Sequence, residues 1–293
     1  MKSTLKLLQF IYRTAILKLS HTSSNPTSDY DNAATTYDDY YTKYLGQKAL
    51  TMFEKLPIGL GQNLADLACG TGFLTHRMAE KTGISGTIVA VDISSGMLQR
   101  NQDKAVIKNL SNINFIQSDV LSFLQSLLSN SLDGIVIGWA ICYMDHKKLR
   151  QELERVVKPG GFVGLIENRS CTLKDVLELF TKALIDYPEA MVKNMNLHLP
   201  KDSNYLVKAF CKKNLKVRES WDDFVIVPCE NGGEIVDYII NSGASAGFID
   251  ALDKSMISKV FQKLGEYSNQ RFAKGDEVLV KHDFSVLIAE KIR

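Results

Sequence analysis

The chain has 293 residues, enough for about two average domains or one large α/β unit. Its 35 Lys and Arg against 33 Asp and Glu leave a net charge of +2, which excludes a basic field strong enough to make nucleic acid the main partner. Apolar residues make up 45% and charged residues 23%, which excludes a disordered chain, and no apolar run approaches the roughly 18 residues of a membrane-spanning helix.

The five cysteines (69, 142, 171, 211 and 229) form no C-x-x-C pair. Their spacing argues against a disulfide framework or a metal site and fits a reducing, cytoplasmic compartment.

Residues 1–28 contain no acid; Asp29 is the first. Leu5, Leu8, Tyr12, Ile16 and Leu19 fall at helical spacing, so 4–19 is predicted as an amphipathic helix. One reading packs the helix on the domain surface or over a site mouth. Two alternatives are a membrane-surface helix, because Lys2, Lys6, Arg13 and Lys18 suit anionic lipid, and a mitochondrial-type targeting segment. Residues 21–28 (HTSSNPTS) read as a polar linker.

Residues 29–61 read as a helical lid segment. Spacing puts Tyr37, Tyr40, Tyr41 and Tyr44 on one helical side, with Tyr30 upstream. An aromatic packing stripe is the plain reading; a lid whose hydroxyls line a pocket is the functional one.

From 62 to 170 the texture alternates. Strands are predicted at 63–69, 86–91, 112–117, 132–138 and 162–166. Helices are predicted at 73–81, 95–109, 120–129 and 147–157, the last stopped by a Lys158-Pro159-Gly160-Gly161 turn. Ser94 or Ser95 caps the second of these helices. Such alternation implies right-handed crossovers and a mainly parallel, doubly wound, Rossmann-like α/β sheet with helices on both faces.

Residues 171–293 are read as substrate-cap helices plus the final strands. Helices are predicted at 173–186, 234–241 and 254–267, and strands at 216–227 and 283–289. Residues 187–213 show no clear period. The small-residue run 241–248 (NSGASAGF) is either a close approach to a pocket or a plain interhelix turn.

The chemistry concentrates on Asp66-Leu67-Ala68-Cys69-Gly70-Thr71-Gly72, which ends the first predicted strand. Glycine lets backbone approach a ligand closely, and the following helix points its first amides at that ligand. Asp92 ends the second strand, where a carboxylate accepts both ribose hydroxyls of a nucleoside. These features alone allow either a dinucleotide or S-adenosylmethionine. The pattern G-x-G-x-x-G fails, because Thr75 holds its third position. Asp66 would repel a pyrophosphate but suits a cationic amino end. Asp119, after the third strand, can accept from an adenine amine while Val120 packs on the ring. Three acids at three successive strand ends favour a cationic, phosphate-free adenosine ligand.

The segments LADLACGTGFLT, VAVDISSGML, NFIQSDVLSF, DGIVIGWAICYMD and LERVVKPGGFVGLIE, in that order, resemble class I S-adenosylmethionine-dependent methyltransferases. The branch most resembled contains the ubiquinone/menaquinone C-methyltransferases and many small-molecule enzymes. The resemblance is strong over 62–168, weaker over 29–61 and 210–292, and absent over 1–28. It implies a seven-stranded sheet whose last strand is antiparallel. It implies that Asp66, Ala68, Gly70 and Gly72 hold the methionine moiety, that Asp92, Ile93 and Met97 hold the ribose and adenosine, and that Asp119 and Val120 hold the adenine. Tyr37 is the aromatic contact expected from the lid segment. Ala68 replaces the usual first glycine.

After the fourth strand many relatives carry one or two histidines before an apolar-Pro-Asp turn. Here Cys142 and Tyr143 stand at those sites, and His146 falls about where the relatives' Asp lies. His146 is read either as a solvated start of the next helix or as a base. Tyr143, His146 and Glu167 are the catalytic candidates, mainly for substrate positioning. Trp139, Tyr143, Asn168 and Tyr41 are the substrate-contact candidates. A helix cap or surface role is the plain alternative for Glu167 and Asn168, and no metal is expected there.

Methyl transfer from a sulfonium needs alignment and exclusion of water more than a dedicated catalyst. A neutral amine or a carboxylate needs no base; a phenol or carbon acid gains from one. The expected function is therefore N- or O-methylation of a small molecule or short peptide terminus, in specialised metabolism. Quinone-type C-methylation and a non-catalytic, cofactor-binding scaffold are the alternatives. No nucleic-acid partner is expected, and the chain is read as a monomer or homodimer.

Overall fold

A computed structural model describes residues 2–20 and 22–292. His21, the first residue of the predicted linker, lies outside them. The chain divides into two compact units. One holds residues 42–172, 197–225 and those from 283 on; the other holds residues up to 41, 173–196 and 226–282. The division falls between Tyr41 and Thr42, inside the tyrosine-rich segment.

In chain order the elements are α1 (Lys2–Leu19), α2 (Thr27–Ala33), α3 (Lys43–Phe53), β1 (Asn63–Leu67), α4 (Phe73–Thr82), β2 (Thr87–Asp92) and α5 (Ser95–Ile107). There follow β3 (Ile113–Gln117), α6 (Val120–Ser126), β4 (Leu132–Gly138), α7 (His146–Val156), β5 (Val157–Asn168) and α8 (Lys174–Asp186). The last are α9 (Ser203–Phe210), β6 (Leu215–Val227), α10 (Gly232–Asn241), α11 (Ile257–Phe272) and β7 (Val280–Lys291).

The seven strands lie in the order β3-β2-β1-β4-β5-β7-β6. β1 pairs parallel with both β2 and β4, β3 with β2, and β5 with β4, while β7 runs antiparallel to β5. The sheet is the seven-stranded one expected, with its last strand reversed. The order switches direction between β1 and β4, and that is where open α/β sheets bind ligands, at the carboxyl ends of the strands.

Side chains alternate across the sheet because successive strand residues point to opposite faces. Ala65, Leu67, Ile135, Ile137, Val163 and Leu165 join one buried cluster with residues of α6, α7 and α9. Leu64, Ile88, Val136 and Ile166 join another with residues of α3, α4 and α5. Both faces are covered, which is why these strands read as near-continuous apolar runs.

Three expectations are corrected. The predicted turn at 158–161 is instead part of β5, as a register shift between the Leu132–Val157 and Gly134–Phe162 pairs; a bulge absorbs the extra residues without ending the strand. The regular helical phase assumed for the tyrosine segment is broken, because Asp38–Thr42 form a π-helical turn. Tyr41 becomes buried, and the Tyr40 hydroxyl donates to Asp237 Oδ2 at 2.6 Å. Finally, the α1 stripe does not pack on its unit: Leu5, Leu8, Tyr12, Ile16 and Leu19 are all exposed. The packed face is the opposite one. There Leu17 is buried, Arg13 Nε donates to the Met191 carbonyl, and Lys6 pairs with Asp186.

Candidate active site

The predicted cofactor residues from Asp66 to Val120 all belong to the sheet-bearing unit, at the carboxyl ends of β1, β2 and β3. After β1 the backbone turns through three left-handed residues: Ala68 (φ 56°), Gly70 (φ 53°) and Gly72 (φ 89°). At Ala68 this costs roughly 1–2 kcal/mol. The loop is held by Cys69 N–H donating to the Val91 carbonyl at 2.9 Å and Gly72 N–H to the Cys69 carbonyl at 3.1 Å. Gly72 is required for space as well as for conformation. A Cβ there would stand 2.2 Å from Asn101 Oδ1 and 2.8 Å from His76 Nε2.

Asn101 is a site-supporting residue that sequence reasoning missed. It is fully buried. Its Nδ2 donates to Thr75 Oγ1 at 3.2 Å, and lies 3.4 Å from Cys69 Sγ and 3.5 Å from the Gly70 carbonyl. A signal existed, because Asn101 is the polar member of an α5 face otherwise formed by Met97, Leu98 and Ala105.

Asp66 is buried, and Thr75 Oγ1 donates to its Oδ2 at 2.5 Å. Burial lifts its carboxyl from the ordinary carboxylate value to about 7; the charge of Asp92 adds to the rise, and the Thr75 hydrogen bonds oppose it. Asp92 accepts from Gly70 N–H at 2.8 Å on Oδ2 and from Ser94 N–H at 2.9 Å on Oδ1. It therefore ties the β1 loop to the start of α5. Ser94, not Ser95, is the cap, its Oγ accepting from Met97 N–H at 3.1 Å. Ser118 N–H donates to the Asp92 carbonyl at 3.0 Å, which brings the β3 end alongside. Asp119 is exposed and caps α6 by accepting from Ser122 N–H at 3.0 Å. Ile93 is half exposed at the β2 end, while Met97 and Val120 are buried.

The ends of β4 and β5 in the same unit are arranged differently. Trp139 follows β4 with a positive φ of 61°, its N–H donating to the Ile166 carbonyl at 2.7 Å. Its ring meets Phe284 edge-on at 5.5 Å. A left-handed aromatic residue is a genuine backbone outlier and marks a constrained position. Residues Ile141–Tyr143 form a single 3-10 turn. Glu167 is fully buried beneath it. Its Oε2 accepts from Cys142 N–H at 3.0 Å and its Oε1 from Asn168 N–H at 2.7 Å. Burial pushes this carboxyl up to about 7, against the pull of those amides. Burial likewise raises the Cys142 thiol well above its usual range.

His146 is half-buried rather than fully solvated. It opens α7, capped by Asp145, which accepts from Lys147 and Lys148 N–H. Its Nε2 lies 3.0 Å from the Ile141 carbonyl and its Nδ1 3.0 Å from the Tyr205 hydroxyl. Burial lowers its basicity. Both nitrogens are satisfied by a neutral ring that donates from Nε2 and accepts at Nδ1. Tyr143 and Asn168 are half-buried at the same strand ends. Thr172 Oγ1 lies 3.4 Å from Asn168 Oδ1.

Tyr37 and Tyr41 belong to the other unit, where their rings lie 5.1 Å apart. There Tyr41 meets His282 edge-on at 5.9 Å. His282 is a second residue the sequence did not single out. It is fully buried, bonded through Nε2 to the Tyr238 hydroxyl at 2.8 Å, and driven down to about 3 by burial. Among the described residues no group of three or more His, Cys, Asp or Glu side chains is placed to hold a metal ion. No described helix is long and apolar enough to cross a membrane.

Residues 60–222, more than half of the chain, match a family described as a methyltransferase domain. A demethylmenaquinone methyltransferase of Geobacillus sp. (strain WCH70) is 29% identical over 141 residues, which cover 48% of this chain and 59% of that protein. The ubiquinone/menaquinone biosynthesis C-methyltransferase UbiE of Coxiella burnetii (strain Dugway 5J108-111) is 36% identical over 118 residues, 39% of this chain and 45% of that one. The chain thus spans about half the length of these relatives. The structure of geranyl diphosphate C-methyltransferase from Streptomyces coelicolor A3(2), in complex with Mg2+, geranyl diphosphate and S-adenosyl-L-homocysteine, superposes with a TM-score of 0.51. It is 13% identical, covers 84% of this chain and is itself covered over 78%; that likeness concerns the fold alone.

Proposed function

This chain belongs to the class I S-adenosylmethionine-dependent methyltransferases, and we propose that it transfers a methyl group to a small-molecule acceptor. The observation that carries the reading is the set of three carboxylates, Asp66, Asp92 and Asp119, one at each end of β1, β2 and β3, around a loop of left-handed residues.

That donor set fits S-adenosylmethionine. Asp92 would accept from the ribose hydroxyls and Asp119 from the adenine amine, with Ile93, Met97 and Val120 as the apolar contacts. Asp66, with Ala68, Gly70 and Gly72, would receive the methionine end. A cationic amino group beside Asp66 restores the ionised form that burial disfavours. The cofactor, when bound, supplies an electrophilic methyl on a sulfonium. The chain's own contribution is to hold the acceptor in line with that methyl and keep water out.

Trp139, Tyr143 and Asn168 are the proposed acceptor contacts. Glu167 and His146 act as positioning residues: between them they are committed to the backbone of residues 141, 142 and 168. With those two groups engaged, the reading favours an acceptor that needs no deprotonation, a neutral amine or a carboxylate. Quinone C-methylation is the second reading, favoured by the names of the relatives.

The test is transfer of labelled methyl from S-adenosylmethionine into fractionated cell extract, with demethylmenaquinone and a panel of amines and carboxylic acids supplied separately. Label in a small polar pool supports N- or O-methylation. Label in demethylmenaquinone supports the second reading. Tight cofactor binding with no transfer to any pool supports a non-catalytic role.

A further inference from the structure

Asn101 and Thr75 form a hydrogen-bond chain that ends on Asp66. All three are buried, Thr75 and Asn101 fully so. Asn101 Nδ2 donates to Thr75 Oγ1 at 3.2 Å, and Thr75 Oγ1 donates to Asp66 Oδ2 at 2.5 Å. A hydroxyl has one proton to give, so a Thr75 that accepts from Asn101 keeps its own proton for the carboxylate. The same Nδ2 faces the Gly70 carbonyl at 3.5 Å and Cys69 Sγ at 3.4 Å. Those two acceptors belong to the loop after β1, and they fix which edge of the Asn101 amide is turned toward Thr75.

The opposite edge of the amide is left without a partner. Among the described residues Asn101 Oδ1 has no hydrogen bond. It lies against Gly72, where a Cβ would stand 2.2 Å from it. An orphaned buried acceptor is destabilising and calls for an explanation. Turning the amide over would let Oδ1 accept from Thr75, and would draw the hydroxyl proton away from Asp66. The fold keeps the orphan, and with it a donor aimed at the carboxylate. Burial and the charge of Asp92 work against ionisation of Asp66, and the Thr75 hydrogen bonds oppose them. The other titratable groups around this chain are Cys69 in the loop, His76 on α4, whose Nε2 lies 3.1 Å from the Asn101 carbonyl, and Lys104 on α5, whose Nζ donates to the Thr71 carbonyl at 3.1 Å. We propose that Asn101 is a positioning residue for cofactor binding: acting through Thr75, it holds Asp66 as the carboxylate that a cationic amino group requires. The role rests on the placement of the methionine end at Asp66 proposed above.

The experiment is titration calorimetry of the full chain with S-adenosylhomocysteine across a range of pH. In the parent, affinity should rise with pH and then level off. Thr75→Val keeps the shape of the side chain without its hydroxyl, and should move the levelling-off point up by about one pH unit. Asn101→Ala should move it by a smaller step in the same direction. Asn101→Leu, branched as Asn is, repeats that test without leaving a cavity. The double variant Thr75→Val/Asn101→Leu should match Thr75→Val alone, because Asn101 acts only through the hydroxyl. Thr75→Ser, which keeps a hydroxyl, should follow the parent profile. Asn101 variants that bind more weakly at every pH, with the levelling-off point unmoved, overturn the proposal. So does a double variant whose shift is the sum of the two single ones. A parent that fails to bind S-adenosylhomocysteine removes the cofactor reading and this role with it. A parent that binds with the expected rise, beside variants whose profiles keep its levelling-off point, removes this role alone.

Discussion

The two halves of the ligand-facing edge of the sheet spend their polar groups differently. At the ends of β1 and β3 the carboxylates keep bonding capacity for a ligand, whereas Asp92 at the end of β2 holds two backbone amides, those of Gly70 and Ser94. Asp119 is exposed, and Thr75 Oγ1 donates to Asp66 on Oδ2. At the ends of β4 and β5 the polar groups are used within the fold. Glu167 holds two backbone amides, and His146 has a partner on each nitrogen. The first arrangement suits a ligand whose shape is fixed. The second makes a rigid frame, with specificity left to half-buried side chains such as Trp139 and Tyr143.

The largest test removes Asp92. Two hydrogen bonds to a charged group, each worth about 1.5–3 kcal/mol, correspond to a loss of cofactor affinity of roughly a hundredfold or more in Asp92→Ala. Titration calorimetry with S-adenosylhomocysteine measures it. Unchanged affinity would remove the ribose assignment and the contrast with it. Next is Glu167→Gln, which offers one oxygen where two buried amides now bond. One unsatisfied buried N–H costs about 1–3 kcal/mol, so urea denaturation should move to lower midpoints with an unchanged slope. A variant of full stability that has lost methyl transfer would instead give Glu167 a direct role on the acceptor.

The part of this edge that could be read from sequence is the part encoded locally. Each cofactor-side acid sits within two residues of the end of its own strand, and the strands themselves are short, largely apolar runs. Asn101 bonds Cys69 across 32 residues and Tyr205 reaches His146 across 59, so neither pairing leaves a trace in spacing. The α1 periodicity identified which residues share a face but not which face is covered, because Phe10 and Leu17 make a second apolar side. The π turn at Asp38–Thr42 adds a phase slip that no 3.6-residue pattern anticipates.

A smaller effect follows from the titration of Asp66. Its carboxyl, lifted to about 7, is largely protonated at pH 6 and largely ionised at pH 8. In the ligand-free chain this group is neutral when folded and ionised when unfolded, so its contribution to stability is lost as pH rises from about 4 to 7. A cationic ligand prefers the ionised form, so cofactor affinity should rise by about tenfold from pH 6 to pH 8. Asp66→Asn should bind more weakly and flatten the profile. A parent profile as flat as that of the variant would mean that the methionine end does not meet Asp66.

The smallest expected effect is the sharpest probe of the β4 side. Tyr205→Phe removes one hydrogen bond to His146 Nδ1 from a residue that is partly exposed, a cost of about 0.5–1.5 kcal/mol. If His146 only braces the Ile141 carbonyl against α9, transfer rates and their pH profile should stay within about twofold of the parent, since no group that meets the acceptor has changed. If His146 were the base, unmasking Nδ1 would make the imidazole easier to protonate or more reactive, and the acid limb of the rate profile would move. His146→Phe then separates the two cases. A folded variant that retains cofactor binding and transfers methyl at near-parent rates leaves the β4 edge a frame. One that binds cofactor normally but loses transfer by more than about tenfold, the usual span of a removed general base being larger still, places a proton acceptor among groups that the structure otherwise devotes to holding the loop.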